Sequence, residues 1–499
     1  MYWINFLHIY QPISQTKEIL DAVVSQSYRP LFAGFLKVSN PDFKLNLNIN
    51  GALTEILWEK GYKDVIENIK ELAEKGKLEF TESAKYHCFL PYLPAEEIER
   101  QIILNHKTNK KIFGKAYQPE CFFPPEMAFS EKVAKVVSKL GYKFILIDEI
   151  GYNGKNDNAP YDSLFSVSGT KLTAVFRERK TSNLIMGAVV RSQKDFLHTL
   201  EQDLKINKYM FTAMDGETFG HHRPGLEKSL FDIVEGQTPK QIFASELTQY
   251  FATTKEIKPR ESTWASCEND IEKNVQFYSW NDPKNRVHQY QWRLFNFVLK
   301  VVADHRLKDK TRKKLDAALA SDQFFWASGE PWWSIEMIEK GAWGLREVIK
   351  SIPDISDADW KKTDDLYQQV IAAAFWWQRS GDIEEKSKKY KEAVKIPFKG
   401  RTLEMGGSEV YQTIVSLMEK KMQEAASEKN YEKAILWRDA IWKLETKNDI
   451  YDMVHVVDSL RFEFSEEFKK LDPKLNELFQ QYKEKYKKLK PGQPESRRI

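Results

Sequence analysis

Along the first 220 residues, short apolar runs alternate with longer amphipathic stretches. The runs fall at 3–7, 45–49, 78–81, 121–123, 144–147, 173–176 and 210–214, and each has strand length. Between them the period changes. Residues 62–75 carry Val65, Ile66, Ile69, Leu72 and Ala73 at helical spacing. Repeated β/α units over this length predict an α/β fold, either a barrel or a doubly wound sheet. In a barrel the chemistry belongs at the C-terminal ends of the strands. Polar residues gather at those ends: His8, Gln11, Asn50, Glu79, Glu126, Asp148 and Asp215. Delivery of polar groups to one rim by several separate strands is the main functional signal in the pattern.

Two of these ends stand out. In the stretch 121–129 an aromatic run stiffened by Pro124 and Pro125 leads straight into Glu126. The prolines preset their own φ and push the residues before them toward extended geometry. Ser130 is placed to cap the following helix, with Glu131 in its first turn and Val133, Val136, Val137 and Leu140 at helical spacing. In 209–217 a second apolar run stops at Asp215, and Gly216 supplies the turn. Two carboxylates held at strand ends are what a paired-carboxylate enzyme needs, because a reacting group must not drift. On the residues alone, Glu120 competes with Glu126 and Glu217 with Asp215.

Beyond about residue 260 the strand signals fade, and 286–350 and 360–397 read as helices rich in Trp, Phe, Leu and Ala. There, helical spacing would put Asp322 and Trp326 on one face. From about 398 the chain becomes charge-rich, and it ends in a polar, Lys-rich segment. The expected division is a barrel over 1–260, a helical domain over 261–397 and a helical tail over 398–499. The 499 residues exceed what one core holds. The 76 Lys and Arg against 72 Asp and Glu leave +4, too balanced to argue for nucleic acid. The three cysteines form neither a paired framework nor a metal spacing, which points to a reducing compartment. His221-His222 lacks a third ligand, so no metal and no cofactor are expected. The first residues lack a basic leader, and no apolar run approaches membrane-spanning length, so a cytoplasmic protein is expected.

The ordered motifs resemble those of glycoside hydrolase family 57 over about residues 1–345. His8-Ile9-Tyr10-Gln11-Pro12 resembles the family's first motif, and Asn50-Gly51 the segment after its second strand. Gly76-Lys77-Leu78-Glu79-Phe80-Thr81, running on to Tyr86-His87, resembles the second motif. Phe122-Phe123-Pro124-Pro125-Glu126 is similar to the third, whose Glu is the nucleophile, and Phe176-Arg177-Glu178-Arg179 resembles the stretch around the sixth strand. Met214-Asp215-Gly216-Glu217 resembles the fourth, whose Asp is the acid/base, and Ser321-Asp322 with Trp326 the fifth.

The resemblance implies an irregular seven-stranded (β/α) barrel, a helical bundle against its mouth, and retaining chemistry on α-glucans. It assigns Glu126 as nucleophile and Asp215 as general acid/base, and it decides for both over their neighbours. His8, Gln11, Glu79, Phe123, His222, Asp322 and Trp326 would contact the sugar. The sequence departs from the family at Tyr10 (usually His), at Phe123 (usually Trp) and at His222 (an aromatic in several members). Hydrolysis and transglycosylation, as by a 4-α-glucanotransferase or a branching enzyme, share every residue named; a non-catalytic sugar-binding or protein-interaction scaffold is the remaining alternative. The related metal-dependent deacetylases would need an Asp-Asp pair and a His-x-x-x-His set, and neither is present. Separately, about 412–446 resembles the UVR motif, a helical hairpin that mediates protein contacts. It implies a protein partner or self-association and does not by itself imply DNA binding. No nucleic acid and no membrane are expected from the charge balance and the apolar run lengths.

Overall fold

The computed structural model describes residues 1–393, apart from positions 189, 306 and 331, and residues 408–446. Among the described residues ten strands form one sheet: β1 (Tyr2–Ile9), β2 (Leu45–Ile49), β3 (Leu78–Glu82), β4 (Cys121–Phe122), β5 (Phe144–Asp148), β6 (Leu164–Val167), β7 (Thr173–Arg177), β8 (Tyr209–Asp215), β9 (Lys240–Gln241) and β10 (Thr253–Ile257). Seven of them, β1-β2-β3-β4-β5-β7-β8, are parallel neighbours, and β8 pairs again with β1. The ring closes between β7 and β8 through the pair Arg177 and Phe211. This is the seven-stranded barrel, and each of the seven apolar runs supplies one of its strands. The other three strands lie outside the ring. β6 runs antiparallel along β7, β10 parallels β6, and β9 pairs with Tyr2 and Trp3 at the entry end of β1.

The alternation of β1 shows how the barrel is filled. Ile4 and Phe6 join the interior cluster of Phe123, Leu146, Val175, Phe211 and Ala213. Trp3, Leu7 and Ile9 face outward, packing with helix residues such as Phe32 and Phe35. The two-residue period therefore turns His8, at the exit end, inward.

After the barrel come helices Arg286–Ala303, Asp309–Ala318, Ile335–Lys350 and Asp357–Ser380, packed on one another. Trp292 and Phe324 stack at 3.9 Å within that core. The short helix Asp322–Phe325 is fixed from behind by His288, whose Nε2 lies 2.8 Å from the Phe324 carbonyl oxygen. It is joined to the barrel loop ahead of it: Ser321 donates from both its backbone N–H (3.2 Å) and its hydroxyl (2.8 Å) to the His87 carbonyl. Helices Ser408–Ser427 and Tyr431–Thr446 pack as a hairpin around Met418, Ala425, Trp437 and Ala440. Among the described residues no helix is long and apolar enough to cross a membrane.

Candidate active site

Glu126 sits in a turn that its neighbours enforce. Its φ of 62° and ψ of 16° are left-handed, a conformation that costs a non-glycine residue about 1–3 kcal/mol. Pro124 and Pro125 stiffen the approach, and Met127 N–H bonds the Pro124 carbonyl at 2.8 Å. Ser130 caps helix Glu131–Lys139 by accepting from Val133 N–H. From the other side, Trp264 donates its backbone N–H to the Glu126 carbonyl (3.2 Å) and its indole N–H to Glu126 Oε2 (2.8 Å). Glu126 Oε1 lies 3.7 Å from His87 Nδ1. The side chain is 19% exposed, so it opens to the barrel mouth while most of it is lined by protein. Burial, with the charge of Asp215, lifts its pKa to about 8, against the pull of the Trp264 donor.

Asp215 ends β8 in register with His8 of β1. Burial raises it to about 6, opposed by the positive charge of Arg177. Among the described residues no hydrogen bond reaches its carboxyl, whereas its neighbour Glu217 is held through Oε1. Glu217 accepts from Tyr10 N–H (3.0 Å), Gln11 Nε2 (3.4 Å) and the Tyr28 hydroxyl. Glu217 is thus the carboxylate that ties the β1 and β8 loops together, and Asp215 is the one left open. Gly216 is required between them, because a Cβ there would lie 2.5 Å from Ile9 Cγ2. Gln11 belongs to the same tie, accepting also from Gln15 Nε2 at 2.8 Å.

The remaining rim forms a directed chain. Asn48 Nδ2 donates to the Thr81 carbonyl (3.3 Å), so its Oδ1 faces His8 Nδ1 at 2.9 Å as acceptor. His8 Nδ1 must then carry the proton, and its Nε2 accepts from His87 Nε2 at 3.2 Å. Burial keeps His8 neutral, lowering it to about 4, and holds His87 well below the ordinary histidine value. Tyr10 stacks on His87 at 4.1 Å and donates its hydroxyl to Asp322 Oδ2 at 2.7 Å, so one side chain bridges barrel and helices. Burial raises Asp322, whose charge also acts on Glu126. Trp326 follows one turn on, its N–H bonding the Asp322 carbonyl at 3.0 Å, and its ring meets Trp332 edge-on at 5.2 Å.

Three expected residues take different places. Phe123 is fully buried beneath His8, its ring 4.9 Å from the imidazole, and forms the floor. His222 is exposed at the rim, against His221. Glu79 requires a correction. It lies two residues before Thr81, and Ser245 holds its carboxylate. Ser245 follows β9, which pairs with the entry end of β1, so Glu79 closes the barrel from below. Trp264, His87 and Tyr10 also surround the carboxylates at the mouth, and none was assigned a role from the sequence. The second motif ran on to His87 and the first motif departed at Tyr10, but Trp264 lies in a loop with no periodic signal.

The family model described as glycosyl hydrolase family 57 matches residues 3–258, which is half of the chain and contains both open carboxylates. The chain belongs to glycosyl hydrolase family 57. A second model, the UvrB/uvrC motif, matches 412–447. Among relatives, Alpha-amylase 1 of Dictyoglomus thermophilum is 27% identical over 219 residues, 43% of this chain and 31% of that protein. An alpha-amylase of Pyrococcus abyssi is 27% identical over 227 residues, 44% of this chain and 33% of that protein. The match therefore spans about a third of the length of these relatives. The fold of this family 57 chain is shared with a branching enzyme from Thermococcus kodakaraensis (TM-score 0.58, 15% identity, 75% of this chain and 96% of that one). It is shared too with a 4-alpha-glucanotransferase from Thermococcus litoralis (TM-score 0.54, 18% identity, 70% and 58%).

Proposed function

We propose that the protein is a retaining glycosidase acting on α-glucans, with hydrolysis as its main outcome. The observation that carries this reading is the pair at the mouth: two strand-end carboxylates from different β/α units, each raised by burial, one acting on the other through its charge. Retention requires one carboxylate to attack and one carboxyl to donate. Glu126 attacks C1 while Asp215 passes its proton to the departing glycosidic oxygen, leaving a glycosyl ester on Glu126. Asp215, now a base, takes the proton of an incoming hydroxyl. That oxygen bonds C1 and the Glu126 ester is released.

In the free protein burial and the charge of Asp215 raise Glu126 to about 8, and burial raises Asp215 to about 6. Between those values the proton therefore sits on Glu126, whereas the reaction needs it on Asp215. Trp264 favours the negative charge on Glu126, and a glycosidic oxygen accepting from Asp215 favours the acid form there. Substrate binding thus draws the shared proton toward Asp215. Tyr10, Asp322, His8 and Trp326 are the side chains we assign to the sugar. Transglycosylation follows if a sugar hydroxyl displaces water at the second step. Incubation with maltooligosaccharides and chromatography of the products separates shorter products alone from shorter and longer ones together. No product change would refute the reading.

The three-part division at 260 and 397, and a cytoplasmic setting, belong to the same proposal. For the hairpin we assign a protein partner or a second copy, on the outward apolar side chains Tyr431, Ile435, Leu436 and Trp442. Light scattering of the chain against a variant with Ile435 and Trp442 changed to Ser tests it: an unchanged mass and unchanged partner capture would refute the assignment.

A further inference from the structure

Asp148 ends β5, is fully buried, and carries two arginines. Its Oδ2 accepts from Arg177 Nη1 at 3.1 Å, and its Oδ1 accepts from Arg179 Nε at 2.6 Å and from Ile150 N–H at 3.1 Å. The two guanidiniums then diverge. Arg177 Nε donates to the Ala213 carbonyl at 2.9 Å, two residues before Asp215, and its Nη2 reaches Asn183 Oδ1 at 3.2 Å. Arg179 Nη2 donates to the Trp264 carbonyl at 3.1 Å and to the Thr263 carbonyl at 3.4 Å, and its Nη1 to Asn156 at 3.3 Å. Trp264 is the residue whose indole holds Glu126.

We propose that Asp148 is a positioning residue that sets the two reacting carboxyls relative to each other. One arm runs Asp148–Arg177–Ala213 to the acid. The other runs Asp148–Arg179–Trp264 to the nucleophile. Both arms end on backbone carbonyls, so they fix main chain rather than a mobile side chain. A buried carboxylate with two charge-assisted partners is rigid, and it leaves neither arginine unbalanced. The hub also acts electrically. Arg177 opposes the burial of Asp215, and Asp148 partly neutralises Arg177. The other titratable groups around this assembly are Glu149 beside Arg179, Glu178 beside Arg177, and Glu126, Glu217 and the neutral His8 around Asp215.

This inference rests on the proposed pair, and its test separates the two. Asp148→Asn keeps the size of the side chain and removes the charge, leaving Arg177 uncompensated. The acid limb of kcat/KM against pH should move to lower pH, and kcat should fall about tenfold or more with KM within about twofold. Arg177→Met should move the same limb upward. Because the wild type must turn over for these readings, the carboxyl infrared band of Asp215 is also titrated in Glu126→Gln and in Glu126→Gln with Asp148→Asn. The second should titrate at lower pH, whether or not the wild type cleaves glucan. If Asp148→Asn does not fold, Arg179→Gln releases only the Trp264 arm and should lower kcat without moving the Asp215 band. An Asp215 midpoint unmoved by loss of Asp148, or an Arg179→Gln enzyme with full kcat, would overturn the proposal.

Discussion

Trp264 holds Glu126 twice, through its backbone N–H to the carbonyl and through its indole N–H to the carboxylate at 2.8 Å. A hydrogen bond to a charged group contributes about 1.5–3 kcal/mol. Trp264→Phe keeps the backbone contact and removes the indole donor. The Glu126 pKa should rise above about 8, and kcat should fall by about ten- to a hundredfold. A pH–rate series on maltooligosaccharides reads both effects, and an unchanged upper limb would refute the role.

Glu126→Gln should lower turnover by about three orders of magnitude or more and raise stability above neutral pH. The sign follows from linkage. The carboxyl has a folded pKa of about 8 against an ordinary value of 4.5, so the folded state binds its proton more tightly. Stability from this group is fully present below about pH 4.5 and is lost as pH rises toward about 8. Denaturant melts should match at pH 4.5 and diverge by pH 8.5, the variant being more stable by a few kcal/mol.

The rate profile of the wild type should be a bell. Activity needs one proton on the pair, and the lower limb near pH 6 and the upper near pH 8 follow the two raised carboxyls. Asp215→Asn should abolish the bell along with most of the rate. A profile flat from pH 5 to 9 would count against the pair.

Gly216→Ala places a methyl against Ile9 Cγ2. Overpacking of this kind costs about 1–3 kcal/mol. The strain falls between Ile9 and Asp215, so kcat should drop more than KM changes. Ile9→Ala in the same chain removes Cγ2 and should restore part of the loss in kcat, whereas Ile9→Val keeps that carbon and should restore none, as a paired kinetic comparison would show.

Most of the seven barrel strands were legible as apolar runs because parallel strands are buried on both faces, whereas β2 (Leu-Asn-Leu-Asn-Ile) and β3 (Leu-Glu-Phe-Thr-Glu) alternate apolar and polar residues. The two positions proposed to react stood out because a carboxylate follows the apolar run, at the end of β8 for Asp215 and just beyond β4 for Glu126. The added strands β6, β9 and β10 were not legible. β9 has two residues, and β10, Thr-Thr-Lys-Glu-Ile, carries the polar composition of an edge. Glu79 misled because a strand end and a strand start look alike in sequence, and only the register with Asn46 and Phe6 shows which end it occupies. Trp264 and the Arg179 arm of Asp148 depend on a loop meeting the barrel from 80 or more positions away, and the Arg177 arm on residues 29 and 36 positions apart, which no local period records.

The ring closes at one residue pair between β7 and β8, and the acid lies four residues further along β8. That seam is the part of the cylinder with least backbone pairing, and the Arg177 guanidinium stitches across it to Ala213. On warming, the seam should part before the helices melt, so catalytic capacity should disappear at a temperature where circular dichroism still reports an intact protein.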